Sequence, residues 1–213
     1  MSLAALLLLA DGRFPGGGHA HSGGLEAAVA AGRVTGLEGL ASFLTGRLAT
    51  TGLTDAWLAA AACAGADPAR VEVECEARCP SPALRHAGRV LGRGLRRAAT
   101  ASWPELAAVT VEQHAVVLGL VARAAGLAPP DAAALALHGL LAGGASACVR
   151  LLPVDMADAM AVVVGLGPLA ADVTARAAAL ADGPLEDGPA WSAPALERRA
   201  EEHAGWEVRL FAS

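Results

Sequence analysis

The chain has 213 residues, a net charge of −5, 54 % hydrophobic residues and 3 % aromatic residues. This length suits one domain with a substantial core, and a core built from Ala, Leu and Val favours an all-α fold. The negative charge argues against a nucleic-acid-binding protein, and the chain contains no lysine, so mechanisms that require a lysine are excluded.

Two features bear on the cellular compartment. Residues 1–10 are apolar but lack the positive start and the cleavage site of a signal peptide, so we expect a short first helix there. The four cysteines are too few and too scattered for a disulfide scaffold in a chain of this length. Reduced thiols in a cytoplasmic protein are the simpler interpretation.

Residues 10–26, which we call the elbow, are the least helical part of the chain. Pro15 and a series of glycines require turns, positive φ angles or close backbone contacts there. Such a segment between two apolar helices suggests a phosphate cradle, a hinge or a partner surface. A nucleotide site is excluded because the third glycine of the dinucleotide motif falls on His21, no strand precedes the motif and the phosphate-loop lysine is absent.

Helical spacing of apolar residues continues after the elbow. We predict a short helix at residues 25–31, a helix opened by a Thr35–Glu38 capping box, a break at Gly52 and a helix at residues 53–64. The Asp67-Pro68 pair predicts the next helix start. Residues 71–76 alternate apolar and acidic side chains as a strand would, but a single strand has no partner here, so we favour a helix.

Ser81-Pro82 predicts a longer helix, to about residue 99, that carries a row of arginines. Most such rows are solvated helix faces, whereas arginine also suits bidentate contacts with carboxylates of an acidic partner. The row consists of Arg85, Arg89, Arg93 and Arg97, with Arg96 beside them.

A capping box at Thr110–Gln113 predicts a helix that ends at Gly126. Residues 132–149 then carry no charge, which reaches the lower limit for a membrane span. The segment is mostly Ala and Gly and lacks an aromatic belt, so we expect the central helix of a globular bundle instead. Gly139 and Gly143 would allow another helix to approach closely.

The last third of the chain begins with a helix from Pro153 or Asp155, which Pro168 kinks or divides and which continues to about residue 181. Residues 182–194 are rich in Gly, Pro and Asp and form the one credible linker. We therefore predict an all-helical domain at residues 1–181, with about eight to ten helices in the chain. Residues 182–213 are expected to form the linker, a short charged helix at residues 195–203 and a docking tail at residues 205–213.

Chain ends fray unless they are held. The apolar residues of the tail therefore indicate that it docks onto a surface. These residues are Trp206, Leu210 and Phe211.

The sequence gives little support for catalysis or for a metal centre. It contains no Gly-x-Ser-x-Gly elbow and no zincin motif, and His114 and His138 lie in apolar helices as expected core residues. His19 and His21 offer two imidazoles that suit nickel, copper or zinc, and Cys75 and Cys79 share one helix face, with His86 further on. None of these reaches a recognised zinc spacing.

Three motifs follow one another along the chain. The first lies in the elbow and consists of Pro15, Gly17, Gly18, Ser22, Gly24, Leu25 and Glu26, with His19 and His21 among them. The second is the run at residues 148–153, which contains Arg150. The third lies at the end of the chain and consists of His203, Arg209, Leu210, Phe211 and Ser213. In this order the motifs resemble those of the urease accessory protein UreF family, which has aromatic residues at the positions of His19 and His21 and a glutamate at that of Ala204.

This resemblance implies an all-helical, dimer-forming, cytoplasmic accessory protein without catalytic activity or a cofactor of its own. Such a protein would bridge the UreD/UreH scaffold protein and the UreG GTPase, so that nickel enters apo-urease and GTP belongs to the GTPase. The family's C-terminal segment docks on the scaffold. Partner-binding roles are thus implied for Pro15, Gly17, Gly18, Ser22, Glu26, Arg150, His203, Arg209, Leu210, Phe211 and Ser213.

Two other hypotheses stay open from the sequence. In one, the chain carries nickel directly on His19 and His21. In the other, residues 132–149 span a membrane.

Overall fold

The computed structural model describes residues 3–212. In this part the chain is all-α, with eleven α-helices and no strand, which confirms the predicted fold class. The helices are α1 (Leu3–Ala10), α2 (Leu25–Ala30), α3 (Leu37–Arg47), α4 (Leu53–Ala64), α5 (Pro68–Ala77), α6 (Pro82–Thr100), α7 (His114–Ala124), α8 (Pro129–Leu151), α9 (Met156–Gly165), α10 (Gly167–Ala179) and α11 (Pro194–Ala204).

The core is built around α4, which packs against α7, α8 and α10. The helix is apolar on nearly every side and is accordingly buried along almost its whole length. Short side chains let the neighbouring backbones approach closely. Gly119 of α7 lies directly against Ala59 and Ala62 of α4, and a Cβ atom at this glycine would overlap the Ala59 carbonyl oxygen.

The long apolar segment forms α8, which contacts α4, α7, α9 and α10 and is packed into the bundle as predicted. Within residues 3–212 it is the single helix long and apolar enough to cross a membrane, and half of its apolar window is buried inside the protein. The predicted close approach at Gly139 and Gly143 is wrong for the described chain, since no described neighbour lies within 4 Å of a Cβ at either position. The close contact occurs at Gly144, against Leu44 of α3.

Three helix starts have the predicted caps. The side chains of Asp67, Ser81 and Asp155 accept hydrogen bonds from the backbone N–H groups of Ala69, Leu84 and Ala157, at 3.1, 3.1 and 2.7 Å. The helix predicted at residues 71–76 is confirmed, because these residues lie within α5. The described residues contain no strand with which they could pair.

Both predicted capping boxes are wrong. The N-cap residue of α3 is Gly36 and that of α7 is Gln113, and neither makes a side-chain capping bond. At α7 the capping function comes from a distant residue. Glu72 Oε1 of α5 accepts hydrogen bonds from the backbone N–H groups of Glu112 and Gln113, at 2.6 and 2.8 Å. A carboxylate that lies 40 residues away takes the place of the local threonine.

Four of the five arginines of the α6 row make contacts within the chain, so the row is neither simply solvated nor available as a whole to an acidic partner. Its contacts join α6 to the end of α5 and to the segment before α7. Arg85 donates to the Cys79 carbonyl oxygen, Arg96 to that of Val109, and Arg89 and Arg93 pair with Glu76 and Glu112.

The helix that follows α8 is divided close to Pro168. The helices α9 and α10 are separated by Leu166 and bent by 50° relative to each other. Proline at the start of α10 is well tolerated, because the first turn of a helix needs no donor there.

The segment that connects α10 to α11 is held against the core by two side chains. The guanidinium of Arg78 donates to the carbonyl oxygens of Leu185 and Pro189, both at 3.0 Å. Gly188 lies against the ring of the fully buried Trp57, whose Nε1 donates to the Leu180 carbonyl oxygen at 3.2 Å. The division of the chain at residue 181 stays a prediction.

Candidate functional site

The elbow folds as a series of turns with one short 3₁₀ helix at Gly18–Ala20. Gly17, Gly23 and Gly24 adopt φ values of 86°, 60° and 88°, in the region that glycine alone enters without strain. A Cβ atom at Gly24 would also collide with Leu196 of α11. The predicted positive φ angles and close backbone contacts are therefore both present in this segment.

The first half of the elbow faces α6. Pro15 is exposed, and Gly16 lies against Leu95 of that helix. Gly17 and the exposed Gly18 lead into the 3₁₀ turn. The role in partner binding that the resemblance implies for Pro15, Gly17 and Gly18 stays a prediction.

The second half of the elbow contacts the C-terminal tail through the buried carboxylate of Glu26, which lies in the first turn of α2. Its Oε1 accepts a hydrogen bond from the backbone N–H of Leu210 at 2.7 Å, and its Oε2 accepts one from Phe211 N–H at 3.1 Å. His203 Nε2 lies 2.8 Å from Oε2, where the protonated ring nitrogen donates a third bond. The His203 and Glu26 side chains are only 4 % and 10 % exposed.

Arg150, at the end of α8, holds the tail from the other side. Its guanidinium lies over the Phe211 ring, 4.2 Å from the centroid, and its Nη1 donates to the His19 carbonyl oxygen at 2.9 Å. The backbone N–H of Ala212 donates to the Ala20 carbonyl oxygen at 2.8 Å. One arginine thus contacts both the elbow and the tail.

We call the set formed by His19, Ala20, Glu26, Arg150, His203, Leu210, Phe211 and Ala212 the elbow–tail junction. It brings together members of all three sequence motifs that carried the family resemblance. Ser22 is buried beside it, and its Oγ accepts a hydrogen bond from Glu26 N–H at 3.3 Å. Arg209 is exposed next to it, whereas Ser213 lies outside the described residues.

The tail has an inner and an outer side. Phe211 is 3 % exposed, whereas Leu210 and Val208 are 52 % and 88 % exposed. Large apolar side chains so far out of the protein are typical of contact surfaces when they lie close together. The tail can therefore present an apolar surface formed by Val208 and Leu210, with Arg209 between them.

Burial and hydrogen bonding act in opposite directions on the pKa of Glu26. Burial raises it, because a charged carboxylate loses its hydration. The N–H groups of Leu210 and Phe211 and the His203 side chain lower it by more than this, since all three bond to the charged form. The pKa therefore lies below its ordinary value, and Glu26 holds the tail as a carboxylate.

The candidate metal ligands do not assemble. Residues 3–212 contain no group of three or more His, Cys, Asp or Glu side chains arranged to hold a metal ion. His19 is exposed on the 3₁₀ turn, while burial and the nearby His19 lower the pKa of His21. Burial raises the pKa of both Cys75 and Cys79, which keeps these thiols protonated and poor as ligands.

A cavity of about 340 Å³ lies beside the elbow, between α3, α4, α6 and α8. Asp55 and Arg47 face it from α4 and α3. Burial raises the pKa of Asp55 to about 6, against the opposing effect of the Arg47 charge. Within the described residues no group donates a hydrogen bond to Asp55, so its environment is the opposite of that of Glu26.

Two contacts that position the elbow and α11 escaped the sequence reasoning. Arg47 Nη1 donates to the Gly23 carbonyl oxygen at 2.5 Å, and Glu201 accepts hydrogen bonds from Ser81 Oγ and from Ala83 N–H at the start of α6. Each joins residues that are far apart in the chain. A helical pattern shows which side chains share a face but not which distant backbone group they meet.

Comparison with known proteins agrees with the convergence of the three motifs. Residues 34–167 match the UreF family model. The urease accessory protein UreF of Mycolicibacterium vanbaalenii is 44 % identical, and that of Mycobacterium sp. strain JLS is 43 % identical. The corresponding protein of Mycobacterium tuberculosis H37Rv is also 43 % identical. Each alignment covers all of this chain and 99 % of the relative. The chain therefore belongs to the UreF family of urease accessory proteins.

Proposed function

We propose that this urease accessory protein works in urease maturation as a bridge between the UreD/UreH scaffold protein and the UreG GTPase, so that nickel can enter apo-urease. The observation that carries this proposal is the elbow–tail junction. It assembles the family motifs into a surface with exposed Leu210 and Val208 and with no group of three metal ligands among the described residues.

The tail is the part that we assign to the scaffold protein. A few apolar or arginine anchors supply most of the binding energy of a typical interface. Leu210 and Val208 face outwards and Arg209 lies between them, while Phe211 is held inside. Phe211 thus acts as the internal support that fixes the outward side chains, and the elbow forms the adjoining part of the surface.

In this proposal the chain has no reaction centre and no cofactor of its own. The elbow glycines make turns and backbone contacts in place of a phosphate cradle, and the sequence lacks the lysine of a phosphate loop. GTP therefore belongs to the GTPase partner, and nickel is the cargo of the assembled complex. A cytoplasmic location follows from the same role.

A homodimer is also part of the proposal. Met156, Met160 and Val164 recur every four residues along α9 and are 45 %, 38 % and 74 % exposed. An apolar stripe of this kind on an outer helix is suited to a second copy of the same stripe across a two-fold axis. Met160→Glu is expected to convert the dimer to a monomer in light-scattering measurements. Retention of the dimer would contradict this assignment of the interface.

The scaffold contact is tested by measuring the affinity of the purified full chain for the UreD/UreH protein. Leu210→Asp places a charge in the proposed interface and is expected to weaken binding at least tenfold. Val73→Asp places the same charge on an exposed valine of α5, away from the junction, and serves as the matched control. Equal affinities of the two variants and the unchanged chain would contradict the proposal.

A further inference from the structure

The Glu26 carboxylate is satisfied by the tail. Its two oxygens accept bonds from Leu210 N–H, Phe211 N–H and His203 Nε2, and these residues lie 184, 185 and 177 positions away in the chain. A buried carboxylate that loses its donors is strongly disfavoured. Opening of the tail therefore removes at least two bonds from one charged group at the same moment.

Movement of the tail away from the elbow would also break the other contacts of the tail. Phe211 leaves the Arg150 guanidinium when the tail moves away, and the Ala212 N–H leaves the Ala20 carbonyl oxygen. His203 also packs against Trp206, with ring centroids 4.7 Å apart, which links the end of α11 to the start of the tail. Movement of the tail away from the elbow would therefore break several contacts at once.

From this geometry we propose that Glu26 and His203 form a latch that holds the tail closed over the elbow, and that the closed tail is the form that binds the scaffold protein. The second part rests on the proposed function, whereas the first does not. Both residues act as positioning residues, because they are buried and act on the partner through the tail.

The closed state also determines which side chains a partner meets. With Phe211 held inside, Leu210 and Val208 point outwards, and in this proposal the latch fixes their positions before binding. A preordered surface loses less conformational entropy on binding than a free chain end does. The partner surface that fits this tail is an apolar pocket with an acidic residue placed to meet Arg209.

The experiment compares the full chain with Glu26→Gln and with Glu38→Gln as matched control. Glu38 also lies in the first turn of a helix, but it is exposed. Hydrogen exchange of the Leu210 and Phe211 amides is measured without any partner, and affinity for the scaffold protein is measured separately. We expect Glu26→Gln to speed exchange at least tenfold and to weaken scaffold binding at least tenfold, while Glu38→Gln changes neither.

The two readings separate the latch from the proposed function. Unchanged exchange in Glu26→Gln overturns the latch whatever the partner does. Faster exchange with equal or tighter scaffold binding overturns the assignment of the closed tail as the binding form. If the chain without any substitution fails to bind the scaffold at all, the proposed function and the assignment of the closed tail as the binding form are both overturned. The exchange result still tests whether Glu26 and His203 form a latch.

A second variant keeps the test valid if Glu26→Gln fails to fold. His203→Gln removes one of the three donors and leaves the two backbone bonds in place. It is expected to speed the same amide exchange severalfold, with an unchanged helical circular dichroism spectrum. Exchange equal to that of the unchanged chain would again contradict the latch.

Discussion

The α4–α7–α8 core and the elbow–tail junction are held together in different ways. In the core, four successive alanines of α4 at residues 59–62 are fully buried, and the contacts depend on shape and close approach. In the junction, one carboxylate and one arginine bond to distant parts of the chain. Core packing is non-directional and spread over many atoms, whereas each junction contact depends on one particular group.

This difference predicts two classes of variant. A core substitution should lower the free energy of unfolding of the whole protein but leave the tail surface of each folded molecule intact. A junction substitution should change global stability less, because the junction contacts lie outside the packing of α4 against α7 and α8, yet it should alter tail order and scaffold affinity. The predictions below test this separation, and they run from the largest expected effect to the smallest.

Trp57→Ala is expected to have the largest effect. The ring is fully buried, lies beneath the Arg78 guanidinium at 5.0 Å and supports Gly188 of the connecting segment. Removal of a buried tryptophan leaves a cavity and typically destabilises by about 3–5 kcal/mol. Urea unfolding followed by circular dichroism measures this loss. A loss below about 1 kcal/mol would show that the ring is not part of the cooperative core.

Gly119→Ala tests close approach as the basis of the α4–α7 contact. The added methyl group would lie 2.7 Å from the Ala62 Cβ atom and would overlap the Ala59 carbonyl oxygen, so the helices must move apart. Overpacking of this kind costs about 1–3 kcal/mol. The matched control is Gly143→Ala on α8, where no described neighbour lies within 4 Å. That control should be neutral or stabilising by up to about 1 kcal/mol, and equal effects of the two changes would contradict the packing argument.

Asp55→Asn sharpens the comparison between two carboxylates, because Asp55 lacks hydrogen-bond donors from the described residues and Glu26 has three. Burial raises the pKa of Asp55 to about 6 in the folded chain, above its value of 3.8 in the unfolded chain. The unfolded state therefore loses its proton first, and stability falls as the pH rises from about 4 to about 6. Asparagine does not titrate, so it avoids this loss.

We therefore expect Asp55→Asn to stabilise the protein on the order of 1–2 kcal/mol at pH 7.5, with little difference at pH 4. The measurement is urea unfolding of both chains at the two pH values. His114, whose pKa burial lowers to about 4, titrates over the same range but is present in both chains, so its effect cancels. A stability difference that does not change with pH would contradict the assignment.

The sequence was sufficient for the elements and insufficient for their distant contacts. Helix starts with a local cap, such as Asp67 and Ser81, were predictable because the capping side chain and the backbone N–H that it accepts from are close in the chain. The Thr110 capping box failed because Glu72 supplies the acceptor from another helix. Periodicity reports which residues share a helix face, but it does not report which helix that face will meet.

The candidate site divides in the same way. The motifs located the elbow, Arg150 and the tail, and the positive φ at Gly24 followed from glycine alone. That Glu26 would accept bonds from the tail backbone had no local signal, because the contact spans almost the whole chain. The sequence indicated both Leu210 and Phe211 as partner-binding residues, and the structure leaves Leu210 exposed and places Phe211 inside. Its role towards a partner stays a prediction.

Arg150→Lys is expected to have the smallest effect on stability and tests the junction at its second contact. The planar guanidinium lies over the Phe211 ring while its Nη1 donates to the His19 carbonyl oxygen, and an ammonium group cannot keep both geometries. A cation–π contact at a surface contributes about 0.5–1 kcal/mol, so the unfolding midpoint should hardly move.

Amide exchange at Phe211 and Ala212 in Arg150→Lys should still become severalfold faster, with scaffold affinity weakened in proportion. The matched control is Arg176→Lys, a solvent-exposed arginine of α10 whose ion pair among the described residues is with Asp172, one turn earlier. If Arg150→Lys instead lowered global stability as much as Gly119→Ala while tail exchange stayed constant, the junction would be part of the core. The separation between a shape-based core and a bond-based tail surface would then be wrong.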